Sequence, residues 1–396
     1  MSKIREVVVA SGVRTAIGDY GGSLKDFAPT DLAARCITEA LSRAGVAGAE
    51  VGHVVFGNVI HTESKDMYLS RVAAMNGGIP KEVPAMTLNR LCGSGLQAIV
   101  SAAQIIALGD ADIAVAGGAE SMSRSNYWLP TARWGTKMGD QALVDVLLGA
   151  LSDPFEGMHM GVTAENVAKK YGLTRDEQDA FSLESHRRAA NAIAKGWFTD
   201  QILPIEIKER KATRVFNTDE HVRSDVTEEN LAKLRAVFKK DGTVTAGNAS
   251  GINDGAAAMV LMERSTAEKR GIQPLARLVA YGHGGVEPEL MGLGPIPAVK
   301  MAMGKAGLKV GDMDVIESNE AFAAQACAVA KDLGFDPAKT NPNGGAVALG
   351  HPVGATGCII SVKALYELQR IGGKYALATM CIGGGQGIAA IYERIG

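Results

Sequence analysis

A cysteine in a glycine-rich turn is the first feature of this sequence that could do chemistry. Cys92 lies in the segment NRLCGSG (89–95), directly before an apolar helix predicted over 96–108. A helix N-terminus presents unpaired backbone N–H groups and the positive end of the helix dipole, and both favour a thiolate over a thiol. We therefore expect Cys92 to be a nucleophile whose pKa lies below the usual value of about 8.5 for cysteine. The structural alternative is a small buried cysteine that only packs.

Three further turns offer a base, a second thiol and an amide. His351 lies among glycines just before a second apolar helix, where its imidazole could accept the proton of the Cys92 thiol. Cys381 follows a strand predicted at 375–379 and precedes three glycines, whose backbone N–H groups could hold an oxyanion. Asn319 ends a buried strand and could polarise a carbonyl or fix a water. The alternatives are a hydrogen-bonded loop histidine, a buried cysteine and a helix cap.

These turns occupy equivalent places in two halves of the chain. Residues 40–58 align without gaps on residues 302–320, an offset of 262, and the same offset carries Gly95 onto Gly357. Each of these glycines opens an apolar helix that leads into a strand of small residues. Sites in open α/β sheets lie beyond the carboxyl ends of strands. Two such units packed together therefore predict one site that is built from both halves.

The repeat predicts an α/β fold with largely buried sheets and one insertion. We assign residues 1–121 and 249–270 to an N-terminal repeat, 122–248 to the insertion and 271–396 to a C-terminal repeat. The insertion holds all three tryptophans and an amphipathic helix predicted to begin after Thr174. We interpret the insertion as a lid or assembly element and not as a third sheet.

Composition and charge exclude several classes of function. The 396 residues include 41 Lys and Arg against 43 Asp and Glu, a net charge of −2, so no global basic field would attract nucleic acid or an anionic membrane. The apolar run at 7–10 is too short for a signal peptide, and no stretch approaches the roughly 18 to 20 uninterrupted apolar residues of a membrane helix. We expect a cytoplasmic protein. Five cysteines without CxxC spacing argue against a disulfide framework or a zinc site.

Taken together, the turns resemble those of the thiolase family, most closely bacterial acetyl-CoA acetyltransferases and β-ketothiolases. The segments that carry the resemblance are NRLCGSG (89–95), SNEAFA (318–323), NPNGGAVALGHPVGATG (341–357), CIGGGQG (381–387), MHMGVTAENVA (158–168) and GTVTAGNASGINDGAA (242–257). They span essentially the whole chain. The resemblance implies a duplicated five-layer αβαβα thiolase fold with an inserted loop domain for coenzyme A binding and tetramerisation. It also implies a homotetramer, a dimer of dimers. The one departure is Ser318, where we expect a small apolar residue, with little consequence.

The resemblance implies a role for each site residue. Cys92 matches the acyl-accepting nucleophile, His351 the base that activates it, and Cys381 the acid/base that handles the substrate α-proton. Asn319 and His351 match one oxyanion pocket, partly through a water, and the backbone N–H groups of Cys92 and Gly383 match a second. The residues matched to coenzyme A contacts are Ser250, His159, Met160 and Phe322 near the pantetheine, Arg223 and Phe238 at the adenine end, and Ala246. Coenzyme A is implied as a substrate, with no metal or resident cofactor.

The implied activity is acyl transfer: two acetyl-CoA molecules condense to acetoacetyl-CoA and free coenzyme A, and 3-ketoacyl-CoA is thiolysed in reverse. Acetoacetyl-CoA is the first choice of 3-ketoacyl substrate, and a broader range of chain lengths is the next. Cys92 and Cys381 are also expected to form a disulfide under oxidation if their Cα atoms come within about 7 Å.

Three other functions remain open from the residues. A decarboxylating ketoacyl synthase shares the duplicated fold and the cysteine nucleophile but would want a histidine in place of Cys381. An NAD-dependent oxidoreductase rests only on the GxGxxA pattern at 93–98. A lipid or coenzyme A carrier would keep the fold and lose the catalytic residues, which this chain retains.

Overall fold

The chain alternates helices and strands through residues 4–210 and 212–395, the parts that the computed structural model describes. The ends of the two predicted repeats at 1–3 and 396, and Lys211 in the predicted insertion, lie outside the described residues. The α-helices are α1 (Pro29–Ala44), α2 (Leu69–Asn76), α3 (Ser94–Leu108), α4 (Val146–Ala150), α5 (Met160–Tyr171), α6 (Arg175–Ala194), α7 (Glu228–Ala232), α8 (Arg264–Lys269), α9 (Pro295–Ala306), α10 (Ala323–Leu333), α11 (Ala346–Leu349) and α12 (Val353–Ile371). The strands are β1 (Val7–Thr15), β2 (Gly18–Asp19), β3 (His53–Gly57), β4 (Ala85–Leu88), β5 (Ile113–Ser121), β6 (Tyr127–Trp128), β7 (Val144–Asp145), β8 (Ile202–Leu203), β9 (Ile205–Lys208), β10 (Thr213–Phe216), β11 (Asn253–Glu263), β12 (Ala276–Gly285), β13 (Val315–Ser318), β14 (Tyr375–Ile382) and β15 (Gln386–Arg394).

The main sheet consists of two halves with the same strand order. One half runs β1-β11-β5-β3-β4 and the other β12-β15-β14-β13. In each half the inner strands pair antiparallel, whereas β3 with β5 and β13 with β14 pair parallel. A parallel bridge between Ile316 and Thr340 takes the place that β4 has in the first half. The halves meet where β1 and β12 pair antiparallel at two positions, Val8 with Arg277 and Val9 with Ala276.

The helices form three layers around these half-sheets. Helices α3 and α12 lie between the half-sheets and contact each other and strands of both. Helices α1 and α2 cover the outer face of the first half, and α9 covers that of the second, where apolar residues of α10 join the same buried cluster as β13, β14 and β15. The result is the five-layer αβαβα arrangement that the resemblance implied. The residue boundaries assigned to the repeats and the insertion stay a prediction.

The central helices approach closely because both carry glycine where they cross. A Cβ atom on Gly95 of α3 would lie 2.7 Å from the backbone nitrogen of Cys358 on α12. A Cβ atom on Gly357 would in turn lie 2.7 Å from the Cβ of Leu96. The paired glycines are therefore needed for helix contact, which accounts for their match in the repeat and removes the reason to assign the GxGxxA pattern to a dinucleotide.

The insertion is more varied than predicted. It contains α4 to α7 and two small two-stranded sheets, β6 with β7 and β9 with β10, so the expectation of an element without a further sheet is wrong. The helix predicted after Thr174 is α6: the Thr174 hydroxyl accepts a hydrogen bond from the Glu177 backbone N–H, and the Glu177 carboxylate accepts one from that of Thr174. On the same helix, His186 is buried and accepts a hydrogen bond from the Arg223 backbone N–H.

The most apolar long segment lies in the central layer. Residues Leu91–Leu108 have a mean hydropathy of 1.6 over 18 residues, enough by length and composition to cross a membrane. Glycine, serine and glutamine residues interrupt its apolar run, in agreement with the expectation that no uninterrupted stretch of that length exists. This segment is α3 with the turn before it, and its apolar side chains pack between the two half-sheets. Burial inside the protein accounts for its hydropathy.

Replacing Gly357 by alanine should destabilise the protein, because the added methyl group meets α3. We expect the free energy of unfolding to fall by about 1–3 kcal/mol, as in other overpacked cores. Gly304→Ala is the matched control: Gly304 lies in α9 with no atom within 4 Å of its added Cβ, so alanine should raise stability by about 0.5–1 kcal/mol. Urea unfolding measures both variants, and equal midpoints would contradict the helix-contact argument.

Candidate active site

The predicted site residues converge on one cavity of about 430 Å³. Eleven of the twelve lie in its wall, from both repeats and the insertion: Cys92, His351, Cys381, Gly383, Ser250, His159, Met160, Arg223, Phe238, Ala246 and Phe322. The twelfth, Asn319, is buried behind His351. The turns at the ends of equivalent strands therefore meet, as the repeat predicted.

A strained turn presents Cys92 two residues before α3. Leu91 has a φ of 43°, which is rare for a residue with a side chain and costs backbone energy. Hydrogen bonds hold this conformation: the Leu91 N–H donates to Asn89 Oδ1, and Ser94 Oγ accepts from the Arg90 N–H and donates to the Leu91 carbonyl. Because these hydrogen bonds fix the backbone on both sides of Cys92, its thiol stays directed into the cavity.

Burial determines the protonation of Cys92. Loss of solvent raises its pKa to about 11, although the Gly383 N–H and its own backbone N–H favour the thiolate, and the charge of nearby Glu120 raises the pKa further. The expected depressed pKa is therefore wrong for the free protein, because desolvation outweighs the helix end. Cys92 rests as a neutral thiol and needs a base that takes its proton during attack.

His351 has the chemistry of such a base. Burial lowers its pKa to about 4, so the imidazole is neutral at physiological pH. Nδ1 lies 2.7 Å from the hydroxyl oxygen of Thr356, and that hydroxyl donates its only proton to the Pro352 carbonyl. Nδ1 must then carry the proton that it donates to Thr356. The network thus assigns the Nδ1–H tautomer and leaves an unprotonated lone pair on Nε2.

Asn319 lies beside that lone pair. Its side-chain Nδ2 is 3.5 Å from His351 Nε2, and its backbone N–H continues the parallel ladder to the Thr379 carbonyl. Helix α10 begins four residues later, at Ala323, and its N-cap residue is Phe322. The alternative of a helix cap is therefore wrong for Asn319, and its amide is available to the site.

Cys381 belongs to a strand and not to the turn where the sequence placed it. Strand β14 runs to Ile382, and Cys381 pairs with Gly387 of β15. The turn that follows contains Gly384 and Gly385 with φ of 77° and 83°, conformations that favour glycine. Burial, reinforced by the neighbouring Cys92, raises the pKa of the Cys381 thiol. Both thiols are therefore protonated at rest.

Aromatic rings line the outer part of the cavity. His159 stacks on Phe238 with ring centroids 4.7 Å apart, and the edge of Phe238 meets Phe322 at 6.3 Å. Phe238, expected at the far adenine end, thus lies in the same stack as the two residues assigned to the pantetheine. His159 Nδ1 accepts the Gly161 N–H at the start of α5, which holds its ring in place.

Two polar residues of the site were missed by sequence reasoning. His221 lies in the cavity wall and is hydrogen-bonded to Asp19 at 2.5 Å, and no motif in the insertion pointed to it. Glu120 is fully buried near the end of β5, where it accepts hydrogen bonds from backbone N–H groups that include that of Gly354, and burial raises its pKa to about 8. Its position near the end of β5 was the feature of the sequence that could have indicated a place in the site.

The arrangement suits acyl transfer to a thiol. A nucleophile, a neutral base and N–H donors share one largely apolar cavity with a second thiol that can give or take a proton. Among residues 4–210 and 212–395, no group of three or more His, Cys, Asp or Glu side chains is placed to hold a metal ion.

Thr356→Val should disturb the His351 tautomer, because valine keeps the shape of threonine but offers Nδ1–H no acceptor. We expect ¹⁵N NMR of histidine-labelled protein to show the Nδ1–H form in wild type and in Thr356→Ser, and a mixed population in Thr356→Val. Acyl transfer to Cys92 should slow about 10-fold or more in the valine variant, within the about 10² to 10⁴-fold that a general base supplies. An unchanged tautomer in Thr356→Val would contradict the assignment.

Comparison with known proteins agrees with this geometry. Two family models match: Thiolase, N-terminal domain, over residues 7–265 and Thiolase, C-terminal domain, over 272–394. The beta-ketothiolase BktB of Cupriavidus necator is 67% identical over 392 residues, which cover 99% of this chain and 100% of that protein. The crystal structure of Bacillus anthracis acetyl-CoA acetyltransferase has a TM-score of 0.98 at 46% identity, and that of human mitochondrial 3-ketoacyl-CoA thiolase in complex with CoA has 0.97 at 46%; each covers 100% of both chains. With both models matched and such relatives along its full length, the chain belongs to the thiolase family.

Proposed function

We propose that this protein condenses two acetyl-CoA molecules to acetoacetyl-CoA and coenzyme A and catalyses the reverse thiolysis of 3-ketoacyl-CoA. The observation that carries the proposal is the shared cavity of Cys92, Cys381 and His351, with the imidazole in the Nδ1–H form. The names of the relatives, a beta-ketothiolase and an acetyl-CoA acetyltransferase, support the same reaction.

In the first half-reaction Cys92 Sγ attacks the thioester carbonyl of acetyl-CoA. Its proton passes to His351 Nε2, and the developing oxyanion takes hydrogen bonds from the backbone N–H groups of Cys92 and Gly383. The carbon–sulfur bond to coenzyme A then breaks, and the departing thiolate takes the proton of Cys381. This leaves an acetylated Cys92, an imidazolium and a Cys381 thiolate.

In the second half-reaction the Cys381 thiolate removes an α-proton from a second acetyl-CoA. The enolate oxygen is held by the His351 imidazolium and, through a bridging water, by Asn319 Nδ2. The enolate carbon attacks the acetyl carbonyl, a carbon–carbon bond forms and the bond to Cys92 Sγ breaks. Cys92 recovers its proton from His351, so every group returns to its resting state.

Coenzyme A is a substrate in this scheme, and no metal or resident cofactor takes part. We place its pantetheine arm along His159, Met160, Phe322 and Ser250, because apolar side chains dominate this side of the cavity. Arg223 lies in the same wall, where its charge suits the phosphates.

The homotetramer implied by the resemblance is also a proposal. The insertion exposes a run of large apolar side chains of the kind that marks an interface: Tyr127, Trp128, Leu129, Trp134, Met138, Leu143 and Val144. Sedimentation equilibrium should give four times the 41.3 kDa mass of one chain, and the mass of a single chain would overturn the proposal.

Replacing Cys381 by alanine should separate the half-reactions. Cys381→Ala should still acquire acetyl on Cys92, because the nucleophile, its base and the backbone donors remain and coenzyme A can depart as a free thiolate when Cys381 cannot supply its proton. Condensation and solvent exchange at the acetyl methyl group should fall by about 10² to 10⁴-fold, the usual contribution of a general acid or base. Peptide mass mapping after incubation with acetyl-CoA measures the first step, and deuterium uptake measures the second.

Cys92→Ala is the matched control and should abolish acetylation. Acetyl found only on another cysteine of the wild-type protein would overturn the assignment of Cys92. If Cys381→Ala exchanges acetyl methyl protons with solvent at the wild-type rate, the residue that removes the α-proton is not Cys381.

A further inference from the structure

A second, much smaller cavity lies directly behind the active site. Its volume is about 10 Å³, and it separates the end of β13 from α11 and α12. Its wall includes Asn319 and Thr356, which contact His351, and also Glu317 and Lys363, which no step of the proposed reaction uses. The cavity thus connects the catalytic groups to charged residues deeper in the protein.

Glu317 and Lys363 form a buried ion pair beside this cavity. Their side chains are 2% and 3% exposed, and Lys363 Nζ donates to Glu317 Oε2 at 2.8 Å and to the Gly344 carbonyl at 2.7 Å. An ammonium group has three N–H donors, so one remains. Glu317 Oε1 has no hydrogen-bond partner among the described residues. Burial raises the pKa of Glu317, and the Lys363 charge opposes that rise.

Asn319 has a matching unpaired atom. The residue is 2% exposed, its Nδ2 lies next to His351, and its Oδ1 has no partner in the described part of the chain. Glu317 and Asn319 are two residues apart, so their side chains leave the same face of the extended chain, towards α12. Two buried acceptor oxygens and one unused ammonium donor therefore border a single small cavity.

We propose that one ordered water molecule occupies this cavity and makes Glu317 and Lys363 positioning residues for Asn319. The water accepts a hydrogen bond from the third N–H of Lys363, and it donates one hydrogen bond to Glu317 Oε1 and one to Asn319 Oδ1. A volume of about 10–15 Å³ is the minimum for one water, which needs two to four polar partners, and this cavity meets both conditions. The resulting hydrogen bond keeps Asn319 Oδ1 turned inward and Nδ2 turned towards His351 and the substrate.

The functional consequence rests on the proposed function. Asn319 stabilises the enolate of the second half-reaction, whereas acetylation of Cys92 uses the backbone N–H groups of Cys92 and Gly383. Losing the orientation of the Asn319 amide should therefore slow condensation and leave acetylation unchanged. A residue that acted only on folding would affect both steps together.

The double variant Glu317→Gln/Lys363→Met tests this consequence. It removes both charges, which avoids leaving one of them buried without its partner. We expect kcat for condensation to fall about 10-fold, with the KM for acetyl-CoA and the burst of Cys92 acetylation both within 2-fold of wild type. Ser361→Ala is the control: Ser361 is buried on α12 near Lys363, bonds Tyr392 and Gly357 instead of the cavity, and should leave both steps unchanged.

An Asn319→Ala background identifies the route of the effect. If the pair acts through Asn319, the double variant should cause no further loss of condensation in that background. Additive losses, or acetylation that falls together with condensation, would overturn the proposal. Wild-type protein that neither acetylates Cys92 nor condenses acetyl-CoA would instead overturn the proposed function.

A crystal structure at better than about 2 Å resolution tests the water without any activity measurement. We expect one ordered water within about 2.6–3.2 Å of Asn319 Oδ1 and Glu317 Oε1, the range of ordinary hydrogen bonds. A cavity without solvent density, or an Asn319 amide turned the other way, would overturn the proposal.

Discussion

The close approach of α3 and α12 is the contact on which the site depends. Gly95 and Gly357 let the two helix backbones meet near their N-termini, and each helix follows a turn that carries a reactive residue. Because the helices come from different repeats, their contact brings Cys92 and His351 together although 259 residues separate them (351 − 92). The half-sheet of the second repeat then adds Asn319 just after β13 and Cys381 near the end of β14.

The close packing around this helix contact also determines the charge state of the resting site. Cys381 and His351 are buried and Cys92 is half-buried, and desolvation favours the neutral form of all three, so the cavity holds no preformed nucleophile. Charge develops only while substrate is bound, when backbone N–H groups and the Asn319 amide stabilise it. The buried Glu317–Lys363 pair lies behind this site, and in our proposal it orients the Asn319 amide through one water without adding a net charge.

Local sequence patterns predicted which residues meet in the site. They could not predict protonation states, the exact ends of strands or buried ion pairs, because these depend on contacts between distant parts of the chain. The offset of 262 and the four turns were enough to predict two repeats and a site between them, because strand ends and helix starts are local features. The pKa of Cys92 was predicted in the wrong direction, since desolvation depends on residues from the opposite repeat. The placement of Cys381 in a turn was wrong because pairing with Gly387 extends β14. The Glu317–Lys363 pair spans 46 residues, and neither position carries a motif.

The pH dependence of Cys92 alkylation in the free protein tests the central claim that burial keeps this nucleophile protonated. Iodoacetamide reacts with the thiolate, so the rate of Cys92 modification, followed by peptide mass spectrometry, reports its ionisation. With a pKa of about 11, the rate should still be rising tenfold per pH unit between pH 8 and pH 10. Cys381→Ala should give the same profile if the signal belongs to Cys92. A rate that levels off at or below pH 8 would show a preformed thiolate and contradict the account.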